Sequence, residues 1–125
     1  GRVVNPMIVV GQLEGGAVQG IGQALCEQVV HDADSGQPLT GTFMDYAMPR
    51  AGMVRHVEMT MDESTPCRNN LLGVKGVGEL GTIGATPTVV NAVVDALVRA
   101  GVPMARVEAL QMPLTPERAW RALQP

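Results

Sequence analysis

Aromatic residues are almost missing from this chain, which has only Phe43, Tyr46 and Trp120 among its 125 residues. Three scattered rings make no base-stacking platform. A net charge of −3 with a pI near 5.2 gives no basic footprint for nucleic acid or an anionic membrane. Histidine is reduced to His31 and His56, and cysteine to Cys26 and Cys67. These four show no metal-ligand spacing, so no protein-held metal cluster is legible. Two isolated cysteines fit a reduced cytoplasmic protein better than a disulfide framework. No apolar run reads as long enough to span a bilayer. The opening Gly1-Arg2-Val3-Val4 lacks the regions of a signal peptide.

What is present still favours a folded chain, because 46% of residues are hydrophobic against 17% charged. Fifteen glycines and nine prolines interrupt that apolar content. A core so poor in rings and so often interrupted suits a piece packed onto something larger.

Pro6 is placed to open a helix, since its missing N–H is an orphan there anyway. Apolar residues recur at helical spacing from Met7 to about Val30. Gly11, Gly15, Gly16, Gly20 and Gly22 fall inside that helix, each costing about 0.5–1 kcal/mol relative to Ala. Either a second helix packs closely there, or a ligand lies against Gly15–Gly22.

Asp32–Pro38 reads as a turn, and Leu39–Met44 as a short strand or extended segment. Val54–Met61 alternates as a strand does. A polar loop follows over Ser64–Asn70. Thr86 and Pro87 predict the cap and first turn of a helix that Gly101 and Pro103 end, with Ala92, Ala96 and Ala100 as a small-residue strip. Ala105–Leu110 reads as a last strand, and Thr115-Pro116 starts a short helix through Leu123. The expected class is α+β: a long glycine-rich helix, a few strands, and a helix behind a glycine-rich loop.

That loop carries the chemistry. Gly76-Val77-Gly78-Glu79-Leu80-Gly81 matches the dinucleotide fingerprint G-x-G-x-x-G. The fingerprint should join a strand directly to a helix. Here the preceding Asn69–Val74 is a poor strand, and the helix is expected only near Pro87. Glu79 is the only carboxylate between Glu63 and Asp95. Burial among small apolar neighbours would raise its pKa towards that of a general base. A carboxylate near a helix N-terminus can also be simple electrostatics.

Four stretches occur in order: Gly11–Leu25, Phe43–Arg50, Gly73–Glu79 and Met112–Glu117. Together they resemble the C-terminal end of the molybdopterin-binding (large) subunit of the xanthine dehydrogenase, aldehyde oxidoreductase and aerobic carbon monoxide dehydrogenase family. The resemblance covers nearly the whole chain. It implies that residues 1–125 are the C-terminal part of a molybdenum-cofactor-binding domain completed by upstream sequence. The glutamate closing that family's Lys-Gly-Val-Gly-Glu motif is the base beside molybdenum, which makes Glu79 the implied catalytic residue. It takes a proton from a metal-bound hydroxyl as that oxygen attacks the substrate.

The Gln-Gly-Ile-Gly motif makes Gln19 and Gly20 implied pterin contacts. The backbone of Gly76, Val77 and Gly78 is implied to line the same site, with Lys75 supporting the loop. Both glycine clusters would then leave room for the pterin. The implied cofactor is molybdenum–molybdopterin, plain or as the cytosine dinucleotide. The resemblance also implies partner domains or subunits that carry [2Fe-2S] clusters and FAD. The implied substrate is a small molecule, oxidised with water-derived oxygen. The expected location is the cytoplasm, with export alongside a partner in some members. Two other readings stay open: an inert piece without cofactor, and a small dinucleotide-binding module using Gly76, Gly78 and Gly81.

Overall fold

Two helical backbones cross at glycine in this chain, and the rest of the fold is arranged around them. The computed structural model describes residues 1–54 and 56–125. It contains α1 (Pro6–Leu25), α2 (Leu80–Arg99), α3 (Met104–Glu108) and α4 (Pro116–Leu123).

α1 starts as its sequence predicts. The Asn5 side chain accepts from the Ile8 N–H at 3.2 Å, and Pro6 takes the first helical position. It ends at Leu25, short of the expected Val30. The N–H groups of Cys26 and Glu27 both close onto the Gly22 carbonyl at 2.9 Å. Val30 then joins the following turn, donating to Thr40 Oγ1 (3.0 Å) and accepting from the Leu39 N–H (2.8 Å). Turn hydrogen bonds thus override the apolar periodicity of Gln28–Val30. Asp32 Oδ1 organises the turn by accepting from the Ser35 N–H (2.8 Å) and Ser35 hydroxyl (2.7 Å), and Gly36 takes a φ of 70°.

α2 begins at Leu80, well before the expected Thr86–Pro87. The Leu80 N–H closes onto the Val77 carbonyl (3.3 Å) and the Ile83 N–H onto that of Glu79 (3.0 Å), so the turn forms directly behind Gly78. Pro87 therefore lies inside the helix. It removes the donor to the Ile83 carbonyl, on a side of α2 where Ile83 and Pro87 are both exposed and water can take its place. Thr86 is no cap; its hydroxyl donates across to α1, to Gln23 Oε1 (3.0 Å) and the Gly20 carbonyl (3.3 Å). Gly101, at φ 87°, ends the helix as expected.

The earlier start also changes the membrane reading. α2 is 20 residues long with a mean hydropathy of 1.3, so by length and composition alone it could cross a bilayer, contrary to the sequence reading. In this fold one side of it meets α1, and its end carries the exposed Asp95–Arg99 ion pair at 2.9 Å.

The α1–α2 crossing explains the expensive glycines. A Cβ on Gly81 would lie 2.5 Å from the Leu13 carbonyl oxygen and 2.6 Å from Ala17 N. One on Gly16 would lie 3.1 Å from Gly81 Cα, and one on Gly20 would lie 2.8 Å from Ala85 Cβ. Gly22 is filled by the ring of Pro49. Close helix packing accounts for Gly16 and Gly20 and the Pro49 ring for Gly22, whereas a Cβ on Gly11 or Gly15 meets nothing within 4 Å. The strip Ala92, Ala96 and Ala100 is exposed.

Strands are the main departure from the α+β expectation. Among the described residues the only bridge pairs His31 with Pro38. Leu39–Met44 forms no strand. Nor do Val54 and residues 56–61 of the expected Val54–Met61 strand, and Arg55 lies outside the described residues. Ala105–Leu110 is mostly helix α3. Pro103 sets a φ of −58° before it, and the spacing Met104–Val107–Leu110 suits a helix as well as alternation suits a strand.

Val107 enters a small core with Leu97, Val102 and Ala122. Leu114 ties the C-terminal segment to α1 through its N–H on the Ala24 carbonyl (2.6 Å). The chain exposes 9248 Å², nearly half as much again as the roughly 6,400 Å² of a compact monomer of this mass.

Two glycines of α2 give opposite expectations. Gly81→Ala should destabilise the 125-residue chain by about 1–3 kcal/mol, because the new methyl meets backbone that cannot move aside. Gly84→Ala, with nothing within 4 Å of its Cβ, should stabilise it by about 0.5–1 kcal/mol. Urea unfolding of both variants checks the pair. Hydrogen bonds from Ser35 hold the Asp32 carboxyl below its ordinary 3.8. Its contribution to the turn should therefore be complete above that value and fade as pH falls through the lower folded pKa. An NMR titration following the Ser35 amide reads this directly; an Asp32→Asn control should show no such transition.

Candidate functional site

The loop before α2 is held from three directions before it reaches Glu79. Buried Gly73 adopts a φ of 68°, where a side chain is strained, and its carbonyl accepts from the Arg2 N–H (2.9 Å) and the Cys67 N–H (3.0 Å). Asn70 clasps Val74, its Nδ2 donating to the Val74 carbonyl (3.0 Å) and its Oδ1 accepting from the Val74 N–H (3.1 Å). Gly1 lies against Lys75, so that a Cβ there would come within 2.8 Å of Lys75 N. Lys75 and Arg2 border the same hollow of about 280 Å³ together with Gly76 and Val77.

Beyond this clamp the backbone opens. A Cβ on Gly76 would meet nothing within 4 Å, and one on Gly78 would meet only Gln12 Oε1 at 3.7 Å. Glu79 stands at the N-cap of α2, yet its side chain makes no capping hydrogen bond. It is exposed. The desolvation expected of its neighbours is therefore not supplied by these residues.

Across from the loop, Gln12, Gly15 and Gln19 share one face of α1 at i, i+3 and i+7. Gln12 lies beside Gly78. Gln19 Oε1 accepts from the Thr82 hydroxyl at 3.3 Å, and Gln23 continues the strip against Thr86. Gly20 faces the other way, into the helix crossing. The structure thus gathers Gln19, Gly78 and Glu79 around the start of α2 and puts Gly20 behind them as a packing residue. Gln12 and Thr82 were not singled out from the sequence. The spacing of glutamines 12, 19 and 23 was the available signal.

The dinucleotide reading is tested by the same geometry. A helix does open directly behind the fingerprint, which removes one objection to it. However, Gly81 is pressed against α1 backbone and no strand precedes the loop among the described residues, so the strand–turn–helix unit is absent from them.

Amide side chains of α1, glycine backbone with open space beside it and a carboxylate that caps no helix therefore meet at the start of α2. The family described as molybdopterin cofactor-binding domain matches residues 1–55. The chain is 39% identical over 124 residues to the 6-hydroxypseudooxynicotine dehydrogenase complex subunit gamma of Paenarthrobacter nicotinovorans, covering 99% of this chain and 15% of that protein. Quinoline 2-oxidoreductase from Pseudomonas putida 86 superimposes with a TM-score of 0.79 at 42% identity, over 99% of this chain and 15% of that one. CO dehydrogenase from Oligotropha carboxidovorans gives 0.84 at 32% identity, over 98% and 14%. The chain belongs to the molybdopterin-binding large subunits of the xanthine dehydrogenase, aldehyde oxidoreductase and carbon monoxide dehydrogenase family, as a fragment of such a subunit. It spans about 15% of the length of the relatives it matches.

Asn70→Ala should release the clamp on Val74 and cost about 1 kcal/mol for each hydrogen bond lost. Faster amide exchange at Val74–Gly78, with α4 unchanged, is the expected outcome.

Proposed function

We propose that this chain supplies the general base and part of the cofactor cradle of a molybdenum hydroxylase that oxidises a small molecule with water-derived oxygen. The observation that carries the proposal is the arrangement at the start of α2. Open Gly76 and Gly78 precede a carboxylate that does not cap its own helix, beside the Gln12–Gln19 face of α1.

The residues present fit the cofactor. Among the described residues Gly15, Gly76 and Gly78 have no neighbour that explains their missing side chains, unlike Gly16, Gly20 and Gly81. When bound, molybdenum–molybdopterin supplies the redox chemistry. Gln12 and Gln19 would hold its polar edge, and the backbone from Gly76 to Gly78 would lie against it. Gly20 keeps α1 close enough to α2 for Gln19 to reach Thr82, and Lys75 anchors the loop against Gly1. Glu79 would take up a proton on its carboxylate as the oxygen nucleophile attacks the substrate. The rest of the large subunit would close over Glu79 and provide the desolvation that tunes it.

The relatives' names support the class of reaction but differ in substrate, so the substrate here is assigned only as a small molecule. We further propose molybdenum–molybdopterin, plain or as the cytosine dinucleotide, with [2Fe-2S] and FAD on partner domains or subunits as the electron path. The two free cysteines, Cys26 and Cys67, favour a cytoplasmic assembly.

Glu79→Gln tests the central role. In the complete enzyme the variant should keep its molybdenum and pterin content and lose about 10²–10⁴-fold in turnover, because an amide cannot accept the proton. Near-normal turnover in the cofactor-loaded variant would remove Glu79 from that role.

A further inference from the structure

The alternating segment at the centre of the sequence has half of a strand's surroundings. Residues 56–63 run without turn, bend or bridge, and no backbone group of 56–61 bonds to the backbone of another described residue. Burial nevertheless alternates over residues 56–60, beyond which Met61 is exposed. Val57 and Met59 are half-buried, whereas His56, Glu58 and Thr60 are exposed. Val57 and Met59 line a groove with Leu13, Ile21, Leu80 and Val89 of the crossed helices. A strand laid on two helices needs neighbouring strands to satisfy its backbone, and here that side is bare.

We propose that residues 56–61 form a strand of a sheet whose adjoining strand comes from the remainder of the large subunit, outside these 125 residues. Two observations select that occupant. The chain superimposes on CO dehydrogenase with a TM-score of 0.84 while covering 14% of it, so most of such a subunit lies beyond this piece. Its exposed area also exceeds that of a compact monomer by roughly 2,900 Å², the scale of an obligate interface. The recognition runs through the backbone, which has no backbone partner among the described residues, while His56, Glu58 and Thr60 are exposed. Val57 and Met59 fix the register, since a slip of one residue would bring polar groups into the groove. The inference rests on family membership and not on the role of Glu79, so its failure would leave the proton-acceptor reading intact.

Hydrogen exchange provides the test. Amides within 56–61, at least every second one, should exchange about 100-fold or more slowly in the complete large subunit than in the 125-residue chain. Equal rates would overturn the proposal. So would protection in the 125-residue chain that grows with its concentration, which would assign the pairing to a second copy. Proline scanning adds an independent readout, because proline removes the N–H whereas alanine removes only the side chain. An edge strand donates from alternate residues. At least one of Glu58→Pro and Met59→Pro should therefore lower the yield of assembled subunit about tenfold below its alanine counterpart; prolines tolerated as well as the alanines at both positions would count against the strand.

Discussion

The close approach of Gly16 to Gly81 is the contact on which the rest of this structure depends. Helix axes normally stay about 8–10 Å apart because side chains hold them off. Here a methyl on Gly81 would run into the Leu13 carbonyl and Ala17 N, so the two backbones touch. That contact brings Thr82 to Gln19 and Thr86 to Gln23, and it places the N-terminus of α2 beside Gln12. Glu79 sits where it does because the helix behind it has no freedom to slide.

The glycines therefore divide by physical role. Gly16, Gly20, Gly22 and Gly81 are closed by neighbours in the chain; Gly11, Gly15, Gly76 and Gly78 are not. Gly16, Gly20 and Gly81 build the crossing, Gly22 makes room for the Pro49 ring, and the glycines nearest Gln12 leave the outer side of the crossing open. Treating both clusters as pterin room, as the resemblance suggested, merges two constraints that the structure separates. Gly20 belongs to the crossing, where a Cβ would meet Ala85 Cβ and the Thr82 carbonyl.

The thin core and the bare groove describe an incomplete unit in energetic terms. Leu97, Val102, Val107 and Ala122 form one small cluster, while Phe43 and Met44 are 78% and 93% exposed. Apolar surface of that extent is favourable only when covered. The same incompleteness leaves Glu79 in water. The loop before it is nonetheless held in place by the clamp of Gly73, Asn70 and Gly1.

Local signals were legible in the sequence wherever a residue acts on its immediate neighbours. Pro6 opened α1, Asp32 and Gly36 made their turn, Gly101 ended α2, and Thr115 capped α4 through the Arg118 N–H. The order of the motifs was enough to indicate the family and to single out Glu79. Periodicity misread α3 as a strand, because five residues after a proline satisfy both spacings. It also delayed the start of α2, because Thr86-Pro87 imitates a cap that the Val77–Leu80 turn had already made unnecessary. Which glycines face a helix and which face outward, and where Val57 and Met59 lie on the crossed helices, depend on contacts between residues far apart in the chain. Those contacts exist only once the chain is folded, and only the tertiary structure decided them.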